Sequence, residues 1–262
     1  DIETFSPALS KSQRLKQKFK KLKLCSSGES NDSEQDFLNQ NFLFPEETII
    51  AFDLHHVLAR PNKKKMGKVI FKHPDKKLLV KSLQASGFVK QLVLARVAGK
   101  DDSVPEKKMK DLTASCEKEK DRERYSILNP LVTELCNCQD PDIPTFDLIK
   151  KLKMNGYAIY LISNIGSDYF AELKNTWSEG LFNDFTGFYT TNPQDGYVRK
   201  PNPEIFKHFH SSFNPDFQKK VVFIDDNAEN VASATEADMI GIVYDNAEKL
   251  SASLRQVGID LE

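Results

Sequence analysis

From residue 144 onward, short apolar runs alternate with stretches of helical spacing, and this alternation restricts the fold more than any other feature of the chain. It predicts helices over 144–155, 167–179, 201–211 and 227–237, and strands over Tyr157–Ile162, Phe188–Thr190, Val221–Ile224 and Ile240–Val243. Strands separated by helices pair in parallel, because the helix is the crossover that returns the chain to the same end of the sheet. An earlier run, Thr48-Ile49-Ile50-Ala51-Phe52, is apolar enough for both faces of a strand to be buried, and it ends at Asp53. The expected class is α/β, a parallel sheet with helices on both faces. A length of 262 residues and 39% hydrophobic content allow one such core plus an insertion or a tail.

Charge divides the chain. Residues 60–124 carry 19 Lys+Arg against 9 Asp+Glu, whereas residues 125–262 carry 11 against 20, so a formal net charge of −1 hides a cationic segment and an anionic body. Residues 11–23 add 7 basic groups and no acidic one, with Leu15, Phe19 and Leu22 forming a thin apolar stripe between them. That stretch reads as a basic helix, solvated or bound to an anionic partner or membrane surface, within a polar tail and linker over residues 1–45. Four cysteines, Cys25, Cys116, Cys136 and Cys138, without zinc or redox spacing, suggest reduced thiols in a reducing, cytoplasmic compartment. No apolar run reaches membrane-spanning length and no signal core is present, while the opening at Asp1 without an initiator methionine reads as a trimmed start. The lone Trp177 and the phenylalanines read as core. Without aromatic and basic residues interleaved, no specific nucleic-acid binding is expected.

In a parallel sheet, ligands gather outside the carboxyl ends of the strands. Four such ends or loops carry distinctive groups: Asp53, Ser163-Asn164, Lys200 and Asp225-Asp226. A carboxylate can attack phosphorus and divide one difficult displacement into two. Two anions repel, so a cation must lie between them, and Mg²⁺ favours the carboxylate, carbonyl and phosphate oxygens that Asp53, the His55 main-chain carbonyl, Asp225, Asp226 and a substrate would supply. Lys200 would neutralise phosphate, and Ser163 and Asn164 would donate to phosphoryl oxygens. Each group alone is equally a cap, a turn or a surface residue. Their order and spacing together point to phosphate chemistry.

With those residues in place, the sequence resembles the haloacid dehalogenase superfamily over roughly residues 47–250, in the subgroup with a helical cap inserted after the first strand. The similarity rests on IIAFDLHHVLAR (49–60), AIYLISNIG (158–166), VRKPNPEIF (198–206) and VVFIDDNAENVASATEADMIGI (221–242). It implies a Rossmann-like core over 46–60 and 141–262, a cap over 61–140, and a Mg²⁺-dependent phosphohydrolase acting through an aspartyl-phosphate on Asp53. The implied substrate is a phosphorylated small molecule or phosphoprotein, drawn in by the cationic cap.

One position departs from the pattern. Family phosphatases carry an aspartate two residues after the nucleophile, as leaving-group acid and later as base, and this chain has His55. Histidine, with an ordinary pKa of about 6.5, can perform the same proton transfers. The alternative is a weakened or inactive relative that binds an anionic partner or membrane. A dehalogenase, which attacks carbon without metal, has no use for the Asp225-Asp226 pair. His56 is expected to point away from His55, as neighbours in extended chain do, and to be structural. His208 and His210, two apart on a helix, do not share a metal-binding face.

Overall fold

The computed structural model describes residues 42–72, 107, 130–177 and 180–261. The basic stretch 11–23, His73, Cys25, Cys116 and most of the expected cap lie outside them. The core sheet has five strands: β1 (Thr48–Phe52), β4 (Ala158–Gly166), β5 (Gly187–Thr191), β6 (Lys220–Asp225) and β7 (Ile240–Val243). They lie in the order β5-β4-β1-β6-β7, with every neighbouring pair parallel. All five residues of β1 are buried. Ile50 and Phe52 pack on one face with side chains of α2 (Ile143–Met154), α3 (Ser167–Thr176) and α6 (Ala247–Gln256). Ile49 and Ala51 pack on the other with α4 (Glu204–Phe213) and α5 (Ala228–Glu236). The central strand is therefore covered on both sides, which is why its sequence shows no polar alternation.

Several elements differ from the sequence expectation. β4 runs past Ile162 to Gly166 and so includes Ser163 and Asn164, with a register shift against β5 between Ser163 and Gly166. The helix expected from 201 begins at Glu204, because Pro201 and Pro203 hold the preceding residues in a turn. α3 stops at Thr176, three residues short of the expected end, and Trp177 is extended. The indole of Trp177 stacks on Phe182 at 5.5 Å and meets Phe146 edge-on at 6.0 Å, the core role expected of it.

A two-stranded antiparallel ribbon, not foreseen, joins β2 (Ala59–Pro61) to β3 (Gln139–Pro141), with Arg60 opposite Asp140. It brings together the two ends of residues 62–138, which open with α1 (Lys63–Lys72) and close with helical turns over 130–136. Asp142 caps α2 by accepting from Thr145 N–H and pairs with Arg60, tying the ribbon to the core.

On the opposite face, α5 lies directly on β7. A Cβ on Gly241 would sit 2.5 Å from Val231 Cγ1 and 3.1 Å from the Val231 carbonyl oxygen, so a rotamer change at Val231 would not suffice and the α5 backbone would also have to give by a few tenths of an ångström. Gly241→Ala is expected to destabilise the protein by about 1–3 kcal/mol through overpacking. A thermal melt of several degrees below wild type checks it; an unchanged melting temperature would mean that α5 is free to move off the sheet.

Candidate active site

The strand order reverses at β1, so the crevice outside the carboxyl ends of β1 and β6 is where this topology binds ligands. Asp53 extends the β1–β6 ladder by one hydrogen bond, its N–H donating to Ile224 O at 2.8 Å, and the chain then turns sharply. Leu58 and Ala59 N–H both donate to Leu54 O, at 2.9 and 2.7 Å, while buried Leu54, Val57 and Leu58 hold the turn on the core. His55 is buried within this turn. His56 is not in extended chain: its φ is +62°, a left-handed conformation that a non-glycine residue adopts at some cost, and its N–H donates to Ala59 O at 2.8 Å. The expected opposite facing of His55 and His56 therefore has no extended backbone to rest on.

Lys200 is the hub. Its ammonium lies 2.7 Å from Asp53 Oδ1, 2.6 Å from Asp225 Oδ2 and 3.0 Å from the Ile162 carbonyl, with only 1% of its side chain exposed. The approach to Asp53 Oδ1 makes an ion pair but lies off the direction of an aligned hydrogen bond. Asp225 is held far more completely. Asn227 N–H and Asn230 Nδ2 donate to its Oδ1 at 2.9 and 3.0 Å, and Lys200 and Asn230 donate to its Oδ2, the latter at 3.1 Å. Asp226, next along the chain, is exposed.

One ammonium thus faces three carboxylates. Burial, reinforced by Asp225 and only partly offset by Lys200, pushes the Asp53 carboxyl up to about 7. Partial desolvation within the site, although the residue keeps contact with solvent, and then Asp225 raise Asp226 above the ordinary aspartate range. Burial alone would lower Lys200, but Asp225 and Asp53 outweigh it and raise its pKa. The carboxylates are therefore short of positive charge. Asp53, Asp225 and Asp226 each place an oxygen so that the three lie within 4.8 Å of one another, a donor set that fits a hard divalent cation. Among the described residues this is the one such cluster.

The raised Asp53 value has a sign that can be measured. A carboxyl whose pKa is higher in the fold than in the unfolded chain favours the fold while protonated, and that contribution disappears as pH rises to about 7. In chelator-containing buffer the melting temperature is expected to fall between pH 5 and 7.5, and Asp53→Asn is expected to flatten that slope. A wild-type melt that instead rose over the same interval would contradict this electrostatic picture.

The structure brings Asp53, His55, Ser163, Lys200, Asp225 and Asp226 to the carboxyl ends of β1, β4 and β6 or the loops beside them, as their order in the sequence suggested. Asn164 is the exception in role. Its side-chain Oδ1 accepts from Lys200 N–H at 2.8 Å and its Nδ2 donates to Lys200 O at 3.0 Å, so the amide is spent on the Lys200 main chain rather than directed at a phosphate. Ser163 is fully buried, and its oxygen accepts from Ile165 N–H at 3.3 Å, which leaves the hydroxyl proton to donate. Asn230 was missed; the signal was an amide one helical turn beyond the Asp225-Asp226 pair, where its side chain reaches back. His208 is half-exposed near Asp195, and His210 is buried against Asn214, so neither is a ligand of this site. Cys136 and Cys138 are buried and not joined in a disulfide. No described helix is long and apolar enough to cross a membrane.

Comparison with known proteins places this geometry in a family. The haloacid dehalogenase-like hydrolase model matches residues 32–238. Over 120 residues, 46% of this chain, the sequence is 28% identical to Sesquiterpene phosphatase astK of Aspergillus oryzae, and the match spans 59% of that relative's length. The crystal structure of HAD family enzyme bt-2542 from Bacteroides thetaiotaomicron, in complex with magnesium and inorganic phosphate, superposes with a TM-score of 0.50 at 20% identity, covering 79% of this chain and 99% of that one. YfnB from Bacillus subtilis, bound to magnesium, gives a TM-score of 0.50 at 15% identity, covering 81% and 99%. With the fold, the strand-end residues and a family model spanning most of its length in agreement, the chain belongs to the haloacid dehalogenase-like hydrolases.

Proposed function

We propose that this hydrolase is a Mg²⁺-dependent phosphatase that attacks phosphate monoesters with Asp53. The observation that carries the reading is the buried Lys200 ammonium shared by Asp53 and Asp225 within a cluster of three carboxylates, an arrangement short of one cation and suited to one anion. Asp53 and Asp226 would hold the metal with the His55 main-chain carbonyl, while Asp225, its oxygens already engaged in four hydrogen bonds from three donor groups, would supply charge from behind. Bound there, Mg²⁺ supplies charge that lets a carboxylate approach a phosphate. Asp53 Oδ attacks phosphorus, the bond from phosphorus to the ester oxygen breaks, and His55 gives its proton to the departing oxygen. Water then attacks phosphorus in the aspartyl-phosphate, with His55 accepting its proton; the bond from phosphorus to Asp53 Oδ breaks, which returns the carboxylate and releases inorganic phosphate. Lys200 balances negative charge throughout, and the Ser163 hydroxyl donates to a phosphoryl oxygen. The relative named as a sesquiterpene phosphatase supports a phosphate ester as substrate.

The test is turnover of p-nitrophenyl phosphate with Mg²⁺, abolished by chelator. His55→Ala is expected to lower kcat by about a hundredfold, the usual contribution of a positioned acid and base, and His55→Asp to recover most of it. An unchanged His55→Ala rate would remove His55 from the proton transfers. A second reading is favoured by His55 itself, which stands where family phosphatases carry aspartate: a hydrolase core that binds an anionic partner or membrane through residues 11–23 and the basic segment after β2. It predicts no turnover across a phosphate-ester panel, and partner binding that weakens with salt and on deletion of residues 1–36.

A further inference from the structure

Lys200 reaches the site from residues 192–203, which form turns rather than a strand or helix, and a lysine side chain has four rotatable bonds. Its placement therefore needs a cause outside the side chain. Asn164 provides one contact: a single amide accepts from Lys200 N–H at 2.8 Å and donates to Lys200 O at 3.0 Å, pairing with both main-chain groups as a neighbouring strand would. A second comes from α5, where the Ser233 hydroxyl donates to Pro201 O at 2.5 Å. Ser233 is buried, and it lies three residues after Asn230, on the same face of the helix. Asn230 fixes Asp225, so one edge of α5 sets both the carboxylate and the chain that carries the ammonium.

We propose that Asn164 and Ser233 are positioning residues that clamp the Lys200–Pro201 main chain from β4 and α5, so that the ammonium keeps its place when Asp53 loses its negative charge. The need arises from the proposed reaction, on which the kinetic part of this inference rests. As Asp53 becomes an ester of phosphate, Lys200 loses one of its two carboxylate partners at the stage when its charge must still face the phosphoryl group. A lysine placed only by its ion pairs would re-orient at that point. One placed by its backbone keeps Asp225 and Ile162 O as acceptors and does not move.

The full chain with Mg²⁺ and p-nitrophenyl phosphate tests the kinetic part. Ser233→Ala is expected to lower kcat about tenfold, the scale of one lost hydrogen bond in a buried network, with KM within about twofold of wild type. Ser233→Thr, which keeps the hydroxyl, restores it. Asn164→Asp is expected to do more damage, about a hundredfold, because it removes the donor and sets a carboxylate against the Lys200 carbonyl. A wild-type kcat in Ser233→Ala, or a Ser233→Thr variant no better than Ser233→Ala, overturns the assignment. Crystal structures of Asp53→Asn and of Asp53→Asn combined with Ser233→Ala supply a readout that needs no turnover. The Lys200 ammonium stays on Asp225 in the first and leaves it in the second; an unmoved ammonium in the second overturns the clamp. If the wild-type protein turns over no phosphate ester, the reaction is refuted, and this pair of structures still decides the clamp.

Discussion

Asp53→Asn is expected to remove phosphatase turnover by about ten-thousandfold or more while leaving the fold intact, and at pH 8 to raise the melting temperature rather than lower it. The first half follows from the role proposed for the carboxylate: an amide is not a nucleophile toward phosphorus, and no neighbouring group substitutes, because Asp225 has every oxygen position engaged by donors. The second half follows from charge. Asp53 is pushed up to about 7, so at pH 8 in the absence of metal the fold holds a carboxylate that its surroundings disfavour. Asparagine keeps the shape and removes that charge, and Lys200 retains Asp225 and Ile162 O. Steady-state rates together with melts in chelator check both halves. A variant that loses activity and stability together would mean that the carboxylate is structural, and one that keeps activity would move the nucleophile elsewhere.

Lys200→Met is expected to be as damaging to activity, by about a thousandfold or more, and much worse for stability. It leaves Asp53 and Asp225 buried without their shared counter-charge, a loss of about 3–5 kcal/mol in comparable buried pairs. For a chain of this size that corresponds to a drop of roughly 6–20 °C in melting temperature. The loss should shrink at pH 5, where Asp53 is protonated, and in millimolar Mg²⁺, which replaces part of the missing positive charge. Arginine is not expected to rescue the variant, because a planar guanidinium is larger than the ammonium that this buried position encloses and cannot place one point charge between Asp53 and Asp225 in the same way. A Lys200→Met protein with a wild-type melt at pH 8 would show that the three carboxylates are neutralised by something other than the lysine.

The parallel core was legible because its central strands are buried on both faces and therefore appear as unbroken apolar runs, as in Thr48–Phe52 and Val221–Ile224. The same physics made the site legible: polar residues directly after such runs have no packing role at that end of the sheet, so Asp53, Asp225 and Asp226 stood out. What escaped was held by contacts rather than by pattern. The β2–β3 ribbon is three residues a side, too short for any period to show, and each strand contains a proline. The end of β4 was missed because Ser163 and Asn164 interrupt its apolar run, although the backbone remains extended through Gly166. The side-chain partners of Asn164 escaped for a related reason: spacing places an amide near a phosphate site but does not say which of its neighbours it will bond. The left-handed turn at His56 was likewise invisible, since a histidine there gives no hint of a conformation usually left to glycine or asparagine.

The β2–β3 ribbon is a narrow junction. Everything between Pro61 and Gln139 leaves and re-enters the core through two short strands lying side by side, and Arg60 with Asp142 fastens that doorway to the first turn of α2. A segment joined by adjacent ends can lengthen, shorten or be exchanged without moving the strand ends that carry Asp53, Lys200 and Asp225. The doorway therefore isolates the strand ends that carry these side chains from any change of length within the segment it closes.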